Sequence, residues 1–330
     1  MRLLFVVQRY GPDIAGGAEQ LIRDYTLRLA ARGHDVEVLT SCATSYADWM
    51  DDFPSGTSSD GAVTVHRLRV VAPRPNELFG PLHQRVTTTG RRSARYSPVV
   101  ATAWCRMIGP ELDGLDDWLT THAGSFDAVV FSGYLYSPST QGLPAVSALA
   151  PTILQPVAHD ETTLRIPMLR HMFDHATAIN FLTDEERELV DLRFRPPGLR
   201  RVFGAGVAPL PEHINTSLVD RFGVSDAPYL VCVGRIDPAK GMHELAGYFR
   251  TYRERHDQPL KLVFVGSEVH QLERHPDIVV TGFVDVRVAV VAEVPRHRVC
   301  VGFTLPGHGQ QVAVGPLAEG VAGGDGLEPR

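Results

Sequence analysis

Lysine is almost absent from this chain: Lys240 and Lys261 are the only two, and the other basic residues are arginine. With 32 basic and 38 acidic residues the net charge is -6, so the basic excess of a general nucleic-acid binder is missing. Cysteine is scarce too. Cys42, Cys105, Cys232 and Cys300 share no metal-type spacing and form no Cys-x-x-Cys pair, which removes a zinc ribbon and leaves reduced, structural thiols as the expectation. Long apolar runs are also lacking. After Arg2 only Leu3 to Val7 precede Gln8-Arg9, too few residues for a signal peptide or a membrane span, and a cytoplasmic location is expected.

What is present is the alternation of an α/β protein. A length of 330 residues suggests about two domains, and 44% hydrophobic residues suffice for sizeable cores. Leu3 to Val7 reads as a buried strand, Ala18 to Ala31 as a helix with Leu21, Tyr25 and Leu29 on one face, and Asp35 to Thr40 as the next strand. Between the first two lies Gly16-Gly17, which either admits backbone N–H groups to a ligand or makes a tight turn. Ala43 to Asp60 is expected to be irregular, Val63 to Val71 a strand, and the arginines 85, 91, 92 and 95 a solvated basic face or a steering surface.

Further strands are expected at Asp127 to Phe131, Thr152 to Val157 and Ala176 to Phe181, with a short helix over Gly142 to Leu149. Thr183-Asp-Glu-Glu186 has the pattern of a capping box. His159 and Asp160 follow a strand's carboxyl end, where they are either satisfied loop residues or groups facing a ligand. Gly204-Ala-Gly206 suggests a dinucleotide fingerprint, but Pro209 stands where the third glycine belongs, which disfavours a dehydrogenase.

The most informative stretch is Tyr229 to Leu245. An apolar run, Tyr229 to Val233, ends at Gly234; Arg235 and Lys240 follow in a loop, and helical spacing begins at Met242. Two cations between a strand's carboxyl end and a helix's amino end suit a diphosphate: the helix offers N–H groups and positive dipole, arginine a planar fork, lysine a point charge.

Val233-Gly-Arg-Ile-Asp-Pro-Ala-Lys-Gly-Met-His-Glu-Leu245 resembles the donor-phosphate motif of family 4 glycosyltransferases, retaining enzymes of the GT-B fold. Gly16-Gly17-Ala-Glu and Arg32-Gly-His-Asp-Val-Glu-Val-Leu-Thr40 are similar to that family's opening, and Pro156-Val-Ala-His-Asp-Glu161 to its sugar-side loop. The resemblance implies two Rossmann-like domains facing a cleft. It divides the chain into an acceptor-side domain 1–208, a linker 209–228, a partial nucleotide-sugar domain 229–285 and a tail 286–330. By the same match Arg235 and Lys240 hold the donor diphosphate, Gly16, Gly17, Gly266 and Val284 lie near the donor, and His159 faces the sugar. Asp160 orients the acceptor. The implied donor is a nucleotide-diphosphate-sugar, with no metal or other cofactor. The acceptor is a sugar or lipid-linked molecule, as in cell-envelope polysaccharide synthesis, reached by peripheral membrane contact and without nucleic acid. No Asp-x-Asp pair occurs, so the metal arrangement of the other main glycosyltransferase fold has no support.

The resemblance ends near Asp285. The family's pair of glutamates eight apart has no counterpart, because Glu293, Glu319 and Glu328 lie at other spacings. The tail holds eight glycines and ten valines but no Ser, Ile, Lys, Tyr or Trp, and the second domain is expected to be incomplete. Two alternatives to an active transferase follow: a non-catalytic remnant, and a nucleotide-sugar epimerase or hydrolase on the same fold.

Overall fold

A computed structural model of the chain describes residues 1–14, 16–88, 98–206, 222–224, 227–234, 236, 240–282 and 299–300. The chain divides into two compact units, Met1–Gly206 and Val207–Arg330. In the first, strand β1 (Arg2–Val6) leads through a loop to helix α1 (Gly17–Ala31) and strand β2 (Asp35–Ser41). β1 reads as one apolar run because it is covered on both faces. Leu3 and Phe5 pack with Ile22 of α1, and Leu4 and Val6 enter the larger cluster on the opposite face.

Strands β3 (Gly56–Asp60), β4 (Val63–Leu68), β5 (Ala128–Ser132), β6 (Thr152–Gln155), β7 (Ala178–Phe181) and β8 (Leu199–Val202) complete an eight-stranded sheet. Its order is β3-β4-β2-β1-β5-β6-β7-β8, with every pair parallel except β3 with β4. The chain moves outward from β1 on one flank and then returns to β1's other flank at β5. That reversal makes the space beyond the carboxyl ends of β1 and β5 the sheet's topological switch point, where open α/β sheets bind ligands.

Helices α2 (Asn76–Thr88), α3 (Pro98–Ile108), α4 (Leu115–His122), α5 (Ser137–Val146), α6 (Arg170–His175) and α7 (Asp184–Arg193) complete the unit. Trp104, Leu119, Leu143 and Phe173 from four of them meet Leu4, Phe131 and Leu154 in the larger core.

Several sequence expectations need correction. The region up to Asp60 is not wholly irregular, since polar Gly56–Asp60 becomes a strand by pairing with β4. β4 itself stops at Leu68. α5 begins at Ser137 and ends at Val146, because Pro138 fits the first helical turn. The strand before Gly204-Ala-Gly206 is Leu199–Val202. Arg85 belongs to α2, and arginines 91, 92 and 95 lie outside the described residues.

In the second unit strand β9 (Tyr229–Val233) is followed by α8 (Met242–Arg255), β10 (Lys261–Val265), β11 (Ile278–Val280) and β12 (Val299–Cys300). The order β11-β10-β9-β12 is parallel throughout, so this sheet also reverses, at β9. Met242, Ala246 and Phe249 put one face of α8 on Cys232, Leu262 and Phe264. Val299–Cys300 lies beyond the reach of the resemblance yet pairs with Leu230 and Val231.

Glu37 of β2 gives the fold a testable pH dependence. Its carboxylate accepts from Arg2 Nη2 and lies against His66 Nε2, each at 2.7 Å. Burial pushes this carboxyl up, but hydrogen bonds from Arg2 and His66, with their charges, outweigh it and hold it below the ordinary range. A folded value below the unfolded one means stability that is present above the ordinary carboxylate range and lost as pH falls through the folded value. Denaturant midpoints at about pH 7 and about pH 3 should therefore separate wild type from Glu37→Gln at the higher pH and converge at the lower. A gap of equal size at both would refute this account.

Candidate functional site

At the switch point of the first unit, the chain leaves β1 through Gln8-Arg9 and enters α1 at Gly16, its N-cap. No side chain caps this helix start. Gly16 has φ 174°, ordinary extended backbone, so the tight-turn reading of the glycine pair does not apply here. The reason for glycine is space. A Cβ at Gly16 would lie 2.2 Å from a Glu19 carboxylate oxygen and 3.3 Å from Arg9 Nη2, whereas one at Gly17 would meet nothing within 4 Å. Glu19 accepts from Arg9 Nε at 3.0 Å and from Gln8 Nε2 at 3.1 Å, and the Arg9 and Glu19 side chains are only 6% and 8% exposed. Arg9 also donates to the Thr44 carbonyl at 2.7 Å and lies over the Tyr46 ring.

Next to this ion pair the loop after β5 supplies Gly133, Tyr134 and Tyr136. Burial raises the Tyr136 hydroxyl, Glu19 adds to this, and Arg9 and Arg74 oppose it. Tyr134 donates to Glu161 Oε1 at 2.5 Å and contacts the Thr163 hydroxyl at 2.8 Å. Its hydroxyl is held well above the ordinary range by burial and by the Glu161 charge, so at neutral pH it stays a donor.

The loop after β6 carries His159 and Asp160. His159 is half-buried and its carbonyl accepts from the Glu161 N–H at 2.8 Å. Val157 has φ 53°, a left-handed conformation that a β-branched residue adopts only under constraint. Asp160 lies 3.5 Å from Arg165 Nη2 and 3.7 Å from Arg193 Nη2. Its carboxylate is thus engaged by two arginines of its own unit, an arrangement the sequence did not suggest.

In the second unit Lys240 is half-buried and immediately precedes Gly241, the N-cap of α8, at φ 70°. A left-handed cap favours glycine, and no side chain caps this helix either. Gly266 ends β10 with φ 149°, and its N–H donates to the Gly282 carbonyl at 2.9 Å. Arg235 and Val284 lie outside the described residues, as does most of the linker 209–228. Among the described residues no three His, Cys, Asp or Glu side chains gather as a metal ligand set. No described helix is long and apolar enough to cross a membrane.

Sequence reasoning missed Arg9, Glu19 and Glu186 as site-building groups. The signal for the first two was a charge straight after a buried strand and its opposite ten residues later, across a glycine pair.

Comparison with known proteins follows the same lines. No protein-family model matches the chain, and no curated protein does. Among solved structures it is similar to a sucrose-phosphate synthase from Thermosynechococcus elongatus, with 14% identity, 87% of this chain and 72% of that one covered, and a TM-score of 0.57. It is also similar to an α,α-trehalose-phosphate synthase (UDP-forming) from Burkholderia xenovorans in complex with glucose-6-phosphate, at 12% identity, 82% and 68% coverage and a TM-score of 0.55. A third is the catalytic domain of starch synthase IV from Arabidopsis thaliana bound to ADP and acarbose, at 11% identity, 86% and 74% coverage and a TM-score of 0.52. Such likeness at these identities defines a fold. The chain has the α/β fold of the GT-B glycosyltransferases.

Proposed function

We propose that the chain is a retaining glycosyltransferase, similar to family 4, that moves a sugar from a nucleotide-diphosphate-sugar to a sugar or lipid-linked acceptor without a metal. One observation carries this reading. Each sheet reverses at a central strand, β1 or β9, and each reversal leads to a helix start with no side-chain cap behind a glycine, with Lys240 at the second.

In this reading the amino end of α8, Lys240 and Arg235 stabilise the charge that develops on the departing diphosphate, which is electrostatic catalysis by groups already in place. Gly17 and the open space beside it, together with Gly266 and Val284, give the donor room. His159 shapes the sugar side, and Asp160 acts through its arginine contacts on the acceptor side. The location would be cytoplasmic, with peripheral contact to a membrane where the acceptor is lipid-linked.

The test is calorimetric titration of the full chain with UDP, GDP and ADP, followed by transfer assays with the corresponding nucleotide-sugars. Binding of one nucleotide together with turnover of its sugar supports the reading. Nucleotide binding without turnover favours the non-catalytic remnant, for which the missing glutamate pair speaks. Release of free sugar or its epimer with no acceptor product would point to the hydrolase or epimerase.

A further inference from the structure

We infer that Glu186 is the positioning residue of the His159 loop: from the first turn of α7 its carboxylate pins the backbone of Ala158. The inference rests on the proposed role of His159. Thr183 accepts from the Glu186 N–H at 3.1 Å, so one half of the capping box forms as its sequence suggests. The other half does not. Instead of returning to the Thr183 N–H, Glu186 Oε2 accepts from the Leu182 N–H at 2.8 Å, and Oε1 accepts from the Ala158 N–H at 2.6 Å, 28 residues away.

Three features separate this contact from an ordinary cap. Glu186 is 7% exposed, so a carboxylate that normally seeks water has been placed in the interior. Its hydrogen bonds come from the backbone N–H groups of Leu182 and Ala158, and the positive end of α7 favours its charge. Finally, the pinned segment contains Val157 at φ 53°, a conformation that needs an external hold. Burial dominates and holds this carboxyl above its ordinary range, and the backbone N–H groups pull it part of the way back. His159 follows Ala158 directly, so the Ala158 amide is where Glu186 takes hold of the His159 loop.

Glu186→Gln puts an amide N–H₂ against one of the backbone donors, so one contact becomes repulsive. Thr183→Ala removes the cap but leaves the carboxylate, and serves as the structural comparison. Hydrogen exchange of the Ala158 amide and the ring resonances of His159 are measured in the full-length protein. Glu186→Gln should speed Ala158 exchange by about ten-fold or more and shift the His159 ring signals, while Thr183→Ala moves neither. Turnover should fall in Glu186→Gln with nucleotide affinity unchanged. Should that variant fail to fold, Glu186→Asp keeps the charge but cannot span both Ala158 and Leu182, and the same readouts apply.

Equal Ala158 exchange and equal His159 signals in wild type and in the folded Glu186 variants would overturn the inference, even if turnover were lost. Conversely, a wild-type protein without transferase activity in which both signals respond would remove the proposed function and leave the clamp standing.

Discussion

Glu19→Ala should destabilise the amino-terminal unit by about 3–5 kcal/mol, the cost of stranding one member of a buried ion pair. Arg9 is the member left behind. Among the described residues its guanidinium, in a side chain 6% exposed, would keep the Thr44 carbonyl and the face of Tyr46. Gln8 Nε2 would lose its acceptor as well. Chemical denaturation monitored by far-ultraviolet circular dichroism reads the effect. Glu19→Gln, which keeps the shape and one oxygen, should cost less, and the double change Arg9→Met with Glu19→Leu should recover much of the loss, because an apolar pair carries no desolvation penalty. A Glu19→Ala cost within about 0.5 kcal/mol, the range of ordinary surface substitutions, would show that the pair is not buried in solution. Gly16→Ala belongs to the same argument. Its methyl group would push on the Glu19 carboxylate, so it should lower stability in wild type and do far less harm in a Glu19→Ala background.

Lys240→Ala should lower kcat on the correct nucleotide-sugar by about 10²–10³-fold, or about 2.7–4 kcal/mol of transition-state stabilisation, the usual effect of removing one preorganised charge partner from a developing anion. The lysine precedes a glycine cap, so its backbone stands one residue from the N–H groups of α8. As glycine, the cap residue itself has no side chain to occupy these N–H groups, and a phosphate can take them. Lys240→Arg should restore only part of the rate, since a planar fork replaces a compact point charge. Steady-state kinetics of both variants decide the matter: a kcat unchanged in Lys240→Ala removes the diphosphate assignment of this loop.

Much of this architecture was legible because burial on both faces leaves a mark in the chain. β1 and β9 are short apolar runs, β2 alternates over Val36, Val38 and Thr40, and α1 and α8 show periodic apolar spacing, so their places follow from periodicity. β3 left no such mark, since Gly-Thr-Ser-Ser-Asp is strand only by virtue of its partner, β4. β12 is two residues long and is likewise defined by pairing. The site shows the same division. Gly16 could be singled out, but its reason, the Glu19 carboxylate at its flank, needs the fold. Glu186 reads locally as half of a capping box, and nothing in Thr-Asp-Glu-Glu announces a partner 28 residues earlier. Side chains that act across the sheet carry no periodic signal of their own.

The two outer strands of the first sheet have a consequence for how copies of this chain meet. An open sheet offers unpaired backbone groups along each edge, and a second molecule can extend it there. One edge here is β3, whose Thr57, Ser58 and Ser59 are exposed and polar; the other is β8, where exposed Arg200 and Arg201 point to opposite faces of the sheet. β3 offers an incoming chain no apolar side chain, whereas β8 exposes Leu199 beside Arg200, which is paired with Asp191. Strand-by-strand aggregation is therefore opposed more strongly at the β3 edge than at β8.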